Sequence, residues 1–298
     1  MGIEQALIQD LFEIEKLPTL PGLVESKYIG FSEAMGVTAN LNSKIPLRLK
    51  RLVSGILLMG QVVIHLLRGQ IDLSSTLEKM QSVGFGSLAI ALTISASVEM
   101  VFAIQVGKYF QDFSATHIIG GVLAVTLTRE LSPVLTAVVV AGRVGSAFAA
   151  EIGTMKVTQQ IDALYVLKTD PVDYLVTPRV LACCLMLPTI TVISIVAGII
   201  SGLIVAQNFY GVSPITFLNS VQDFLQVWDL IAAQIKSVIF GIIIATIGCN
   251  WGMTVTGGAK GVGESTASAV VTALTAIIVT NFFLSWLMFQ GSVSNPLI

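Results

Sequence analysis

RELSPVLTAVVVAGRVGSAFAAEIGTMKVTQQIDAL, residues 129–164, is the stretch on which the fold turns. It sets an adjacent Arg129 and Glu130 inside an apolar run and follows that run with a polar, amphipathic one. At bilayer depth each charge costs about 2.5–3.5 kcal/mol on insertion scales, so both are expected to face protein or a wet cavity rather than lipid. On a helix, neighbours point about 100° apart, so Arg129 and Glu130 are expected to find separate partners.

The rest of the chain supports a membrane setting. Hydrophobic residues make up 54% and charged residues 11% of the sequence, with a mean hydropathy of +0.85; soluble domains carry roughly 25% charged residues. The expected fold class is an all-α integral membrane protein. Its 298 residues leave room for several spans but not for a large soluble catalytic domain. A net charge of -2 gives no reason to expect a nucleic-acid partner. Cys183, Cys184 and Cys249 lie in apolar segments without metal or disulfide spacing and read as small core side chains. The first 30 residues hold Glu4, Asp10, Glu13 and Glu15 and lack a basic start leading into an apolar core, so no secretory signal is expected there.

A hydrocarbon core of about 30 Å needs roughly 20 helical residues. Residues 83–107, 117–142, 180–207, 231–253 and 266–290 meet that length. A sixth segment, 52–68, is short, is interrupted by Gln61 and His65, and has Lys44, Arg48, Lys50 and Arg51 just before it and Arg68 at its end, as suits a helix lying in the interface. Charge bias favours five spans over six. With 52–68 not crossing, Lys79, Arg143, Lys156, Lys168 and Arg179 stay on the cytoplasmic side with the basic residues around 52–68, while Lys108 alone falls outside. The N-terminus is then cytoplasmic and the C-terminus external. Gly198 with Gly202, and Gly142, Gly145 and Ser146, read as sites of close helix approach.

Motifs for enzyme chemistry are weak. From Gly258 the spacing G-x-x-x-x-G reaches Gly263, but Glu264 stands where a phosphate loop needs lysine, and no strand precedes it. The 257–265 segment therefore reads as a flexible turn between the last two spans. His65 and His117 have no partner at ligand spacing, so no metal is expected, and no G-x-S-x-G elbow occurs. The ionisable residues at membrane depth are Glu99, Arg129, Glu130 and Lys236, which either line an interior path or form ion pairs that fix helix register. Residues 149–168 alternate Ile152, Met155 and Ile161 with Glu151, Lys156, Gln159, Gln160 and Asp162, too polar to span. They are expected to lie across the cytoplasmic face as one or two short helices, either an ordinary loop or a docking element for a soluble partner. Asp170 and Pro171 mark a stop before Pro178 and Arg179 open the next span.

Arg129-Glu130-Leu131, Pro133, the run AGRVGSAFAAEIGTMKVTQQIDAL from Ala141 to Leu164, Asp170-Pro171 and Pro178-Arg179 together resemble the signature of the MlaE-type permease family. The likeness continues through Leu187-Pro188, Ile235-Lys236-Ser237 and the last span to Phe289, covering roughly residues 45–290. Members of that family are membrane subunits of ABC transporters that move phospholipids or related lipids between membranes, and they include chloroplast envelope permeases. The resemblance implies a segment 1–43 outside the domain and a permease domain over 44–298, with five spans, an N-terminal interfacial helix and a cytoplasmic coupling helix. It implies a homodimer, a separate ABC ATPase that uses the ATP, and a lipid-binding MCE-domain protein on the far side; the chain itself would be no enzyme and need no cofactor. By position, Glu151, Ile152, Gly153, Thr154, Met155 and Asp162 would belong to the coupling helix. Arg129, Glu130 and Lys236 would lie near a lipid cavity, with Glu99 a further candidate without an assigned family role. Some relatives carry an acid where this chain has Asn281.

Two other classes fit the charges taken alone: an ion-coupled secondary transporter using Glu99, Glu130 and Lys236 as a relay, and a membrane scaffold that transports nothing. The absence of a basic, Ser-rich start points to a bacterial inner membrane rather than a plastid envelope.

Overall fold

Backbone N–H and C=O groups inside a bilayer find no water, so an apolar run has to bond them within itself, and a helix does so. In the computed structural model every regular element among the described residues is helical. Those residues are 54, 55, 58–60, 62 and 73–293. The elements are α1 (Leu73–Asp112), α2 (Ile119–Thr126), α3 (Ser132–Val140), α4 (Ser146–Val157), α5 (Gln160–Val166), α6 (Thr177–Tyr210), α7 (Pro214–Phe224), α8 (Val227–Met253) and α9 (Gly258–Val293). Among the described residues, five continuous helical stretches are long and apolar enough to cross a membrane: Leu73–Asp112, Thr116–Val157, Val172–Tyr210, Val227–Met253 and Gly258–Gln290. Each contains one of the five expected spans and extends it. The protein is an all-α membrane protein.

Most of the expected interfacial helix at 52–68, with its flanking Lys44, Arg48, Lys50, Arg51 and Arg68, lies outside the described residues, as does the 1–43 segment. The residues that are described there are helical, with Leu58 and Val62 buried, and the Ser54 hydroxyl donates to Asn250 Oδ1 at 2.9 Å.

Widened π-helical turns interrupt the second and third spans at Leu127–Leu131, Ala141–Gly145 and Val172–Val176. Two of them stand just ahead of a proline, Pro133 and Pro178. Proline has no N–H and its ring crowds the carbonyl four residues back, so a helix passing through it must rearrange the preceding turn. At Pro133 the carbonyl that loses its helical donor is that of Arg129.

The first span lies along the third through a stripe at every fourth position, Val83, Ser87, Ala91, Ser95, Glu99, Ala103 and Gly107, all buried, with Gly84 buried beside Val83. The Gly198–Gly202 pair is used as expected, with a Cβ on Gly198 falling 2.5 Å from Leu127 Cδ2. Gly142 is not, because nothing lies within 4 Å of its would-be Cβ. Close backbone approaches also join the fourth span to the second and third: a Cβ on Gly248 would sit 2.8 Å from the Gly145 carbonyl oxygen, and one on Gly241 2.9 Å from that of Cys183. Overpacking of this kind costs about 1–3 kcal/mol. Gly248→Leu is therefore expected to lower the thermal midpoint of the detergent-solubilised protein, while Gly142→Ala leaves it unchanged or raises it through the roughly 1 kcal/mol better helix propensity of alanine. Equal melting of parent and Gly248→Leu would contradict the packing described.

One loop expectation changes. The flexible turn expected at 257–265 is confined to 254–257, and α9 already begins at Gly258. Gly257 and Gly258 take φ of 91° and 68°, which other residues rarely adopt, and Lys260 and Glu264 occupy an exposed helix end at i,i+4 spacing, where polar residues cost little. The 208–230 connection folds into α7, capped by Ser213, whose hydroxyl accepts from the Thr216 N–H. Phe217 of α7 packs on Gly120, and the Gly121 N–H donates to Ser220 Oγ at 2.9 Å.

Candidate functional site

The widened turn at Leu127–Leu131 delivers Arg129 and Glu130 to two partners, as their angular separation requires. Arg129 Nε donates to Asp229 Oδ1 at 2.6 Å. Asp229 is fully buried at the start of α8, where its other oxygen accepts from the Gln226 N–H at 3.0 Å as part of a capping box. Glu130 turns to the fourth and fifth spans, and its Oε1 accepts from Lys236 Nζ at 3.0 Å and Ser285 Oγ at 2.7 Å. Its Oε2 accepts from Asn281 Nδ2 at 2.8 Å.

Lys236 is completely buried and uses all three of its protons, on Glu130, on Ser285 Oγ at 2.7 Å and on the Arg129 carbonyl at 2.7 Å. That carbonyl is the one Pro133 leaves without a helical donor, so a lysine from another span replaces the missing N–H. The Phe289 ring lies 4.6 Å from the Arg129 guanidinium carbon and 5.6 Å from Lys236 Nζ, within cation–π range. At the next position of the fourth span, Ser237 Oγ donates to Thr191 Oγ1 at 2.9 Å, and Thr191 shares a 2.9 Å hydrogen bond with Thr136. These hydroxyls join the second, third and fourth spans. Arg129 and Glu130 keep 28% and 38% of their side chains exposed, so the network is closed behind and open in front.

Glu99, expected with this group, stands apart. It is 1% exposed in the first span, packs against Gly202 of the third, and its Oε2 has no hydrogen-bond partner.

At the opposite end of the second span, α4 carries the 149–168 stretch out of the bundle without a break at 142, and a left-handed Gln159 (φ 59°) then turns the chain into α5. Glu151 grips two other spans: its Oε1 accepts from Lys79 at 3.0 Å near the start of α1, and its Oε2 pairs with Arg179 Nη2 at 2.7 Å near the start of α6. Arg179 is itself buried, donates through Nη1 to the Leu175 carbonyl at 2.6 Å and lies over the Phe148 ring. Ile152 and Gly153 also face inward: Ile152 is fully buried, and a Cβ on Gly153 would meet Val255 at 3.0 Å. The surface of the element is made by Thr154, half-buried Met155, Asp162 and, beyond them, Val166 and Leu167, which are 83% and 72% exposed. Lys156 reaches Asp162 at 2.9 Å across the turn.

Sequence reasoning missed Asp229, Ser285 and Phe289 at the first site and Lys79 and Arg179 as partners at the second. Asp229 was legible as a helix start, since an acid three residues after Gln226 fits the N3 position of a cap. Nothing local distinguished Ser285 or Phe289 from other residues of the last span.

A family model described as Permease MlaE matches residues 76–287. A probable ABC transporter permease protein of Synechocystis sp. is 60% identical over 248 residues, covering 83% of this chain and 94% of the relative. A chloroplast protein of Arabidopsis thaliana whose name is trigalactosyldiacylglycerol 1 is 48% identical over 236 residues, 79% of this chain and 67% of the relative. A probable ABC transporter permease protein of Porphyra purpurea is 47% identical over 247 residues, 83% and 94% of the two chains.

Proposed function

This chain belongs to the MlaE permease family and is the permease subunit of an ABC transporter, and from that premise we propose that its cargo is a membrane lipid. The observation that carries the reading is the network of Arg129, Asp229, Glu130 and Lys236, closed by the second, fourth and fifth spans and open at the first and third of these residues. A polar site set between long apolar helices suits a molecule that is polar at one end and apolar for the rest of its length. A relative named for a galactolipid is consistent with such cargo.

The motor is a separate ABC ATPase, and Val166, Leu167, Met155, Thr154 and Asp162 form the surface it grips. Exposed apolar side chains outside the bilayer mark such contacts. Two copies of the chain enclose the lipid path, an MCE-domain protein receives or delivers lipid on the far side, and the assembly sits in a bacterial inner membrane with its N-terminus cytoplasmic. ATP-driven closure of the ATPases moves α4 and α5, and the movement reaches the lipid site along the second span.

Ile152 and Gly153 contribute to this by packing rather than by touching the partner. Val166→Asp with Leu167→Ser is expected to leave the detergent-solubilised chain folded while removing most of the ATPase that copurifies with it and the transport it supports. ATPase recovery equal to that of the parent would refute the docking surface. The buried, unpartnered carboxyl of Glu99 favours a second reading in which proton movement accompanies transport. Lipid movement by the purified chain along a pH gradient without ATP would support it.

A further inference from the structure

The four ionised side chains of the membrane site sum to no net charge, with Arg129 and Lys236 set against Glu130 and Asp229. Lys236 and Asp229 are completely buried, and Lys236 has no proton left to offer. An incoming molecule therefore meets the exposed parts of Arg129 and Glu130. Glu130 Oε1 is occupied by two donors, whereas Oε2 receives only Asn281 and keeps acceptor capacity. Beside it, Asn281 Oδ1 is buried without a partner, so it adds partial negative charge behind the opening without offering a contact there. The guanidinium has spent Nε on Asp229, so its charge is already matched.

We infer that, granted the lipid-permease reading, this site takes a headgroup that has no net charge and donates hydrogen bonds, and that Glu130 is the residue that turns anionic headgroups away. A phosphate monoester carries about -1.5 to -2 charges at neutral pH and mostly acceptors, and would set them against the Glu130 carboxylate, with only the Nη groups of an Arg129 already paired to Asp229 to meet them. In a site shielded from water such a contact is far less screened than in solution. Hydroxyls or an ammonium group supply the further donor that Glu130 Oε2 can take, with any accompanying acceptor falling to the Nη groups of Arg129. Specificity of this kind comes from the repulsive element as much as from the attractive one.

The test uses the full chain in detergent, offered an equimolar mixture of monogalactosyldiacylglycerol, phosphatidylethanolamine and phosphatidic acid with identical acyl chains, with retained lipid measured by native mass spectrometry. Phosphatidic acid is expected to be disfavoured at least about tenfold against the better retained of the other two. The ratio between those two assigns the donor to a sugar hydroxyl or to an ammonium group. In Glu130→Gln, which keeps the size and the hydrogen-bonding reach of the side chain, preference is expected to shift towards phosphatidic acid by about tenfold, a gain that misfolding would not produce. Preferential retention of phosphatidic acid by the parent overturns the inference whatever the variant does, and so does an unchanged ratio in a folded variant. A parent chain that retains none of the three lipids overturns the lipid-permease reading itself, and this inference with it.

Discussion

Lys236→Met is expected to destabilise the protein by about 3 kcal/mol or more, the range found when one partner of a buried ion pair is removed and the other is left. Three losses coincide at this position. Glu130 keeps its charge without its cation, Ser285 loses a donor, and the Arg129 carbonyl is left with none, because Pro133 cannot supply the helical N–H. The measurement is the thermal unfolding midpoint in detergent. Pairing the change with Glu130→Gln should recover a large part of the loss, since the double variant buries no unmatched charge, and a double-mutant cycle isolates the coupling. A midpoint unmoved by Lys236→Met would mean that the network contributes nothing to holding the second, fourth and fifth spans together.

Arg179→Ala is expected to separate ATP hydrolysis from transport, reducing lipid moved per ATP by about tenfold while the membrane bundle persists. Glu151 links α4 to the beginnings of α1 and α6, so under the proposed mechanism a displacement of α4 would reach the first and third spans through two short contacts. The thermodynamic worth of the exposed half of this clasp is small, about 1 kcal/mol or less, as for other exposed pairs. Its consequence is mechanical, because without the link α4 can move while α1 and α6 stay behind. Arg179 acts through Glu151 and is a positioning residue. Exchanging the charges, with Glu151→Arg and Arg179→Glu together, should restore part of the coupling, which a purely structural role of either side chain would not allow. Normal lipid-to-ATP stoichiometry in Arg179→Ala would discard the clasp as a transmission element.

Glu151 also shows where a positional reading of sequence falls short. Its place at the start of the polar stretch marks it for the coupling element, yet the side chain is engaged with this chain's own Lys79 and Arg179, and Ile152 beside it is buried. The apolar residues exposed on this element, and proposed above to meet the ATPase, lie further on at Val166 and Leu167, whose character looks in sequence like that of any buried residue. Glu99 gives the converse case. Its depth was legible, but the rotation of the first span turns it towards Gly202 and away from Glu130.

The order of residues alone was enough to determine five crossings, the polar element between the second and third of them, and the requirement that Arg129 and Glu130 each be satisfied from a different direction. These follow from sums over about 20 neighbouring residues and from the fixed angle between adjacent positions on a helix, both local quantities. Tertiary structure alone decided that Arg129 meets Asp229 a hundred positions away, that Lys236 serves the carbonyl stranded by Pro133, and that Glu151 faces its own bundle. Such pairings depend on how far each helix is rotated about its axis and slid along its neighbours. Close contact of small residues such as Gly241 and Gly248 with opposing backbone sets that rotation, and hydropathy along a single segment contains no trace of it.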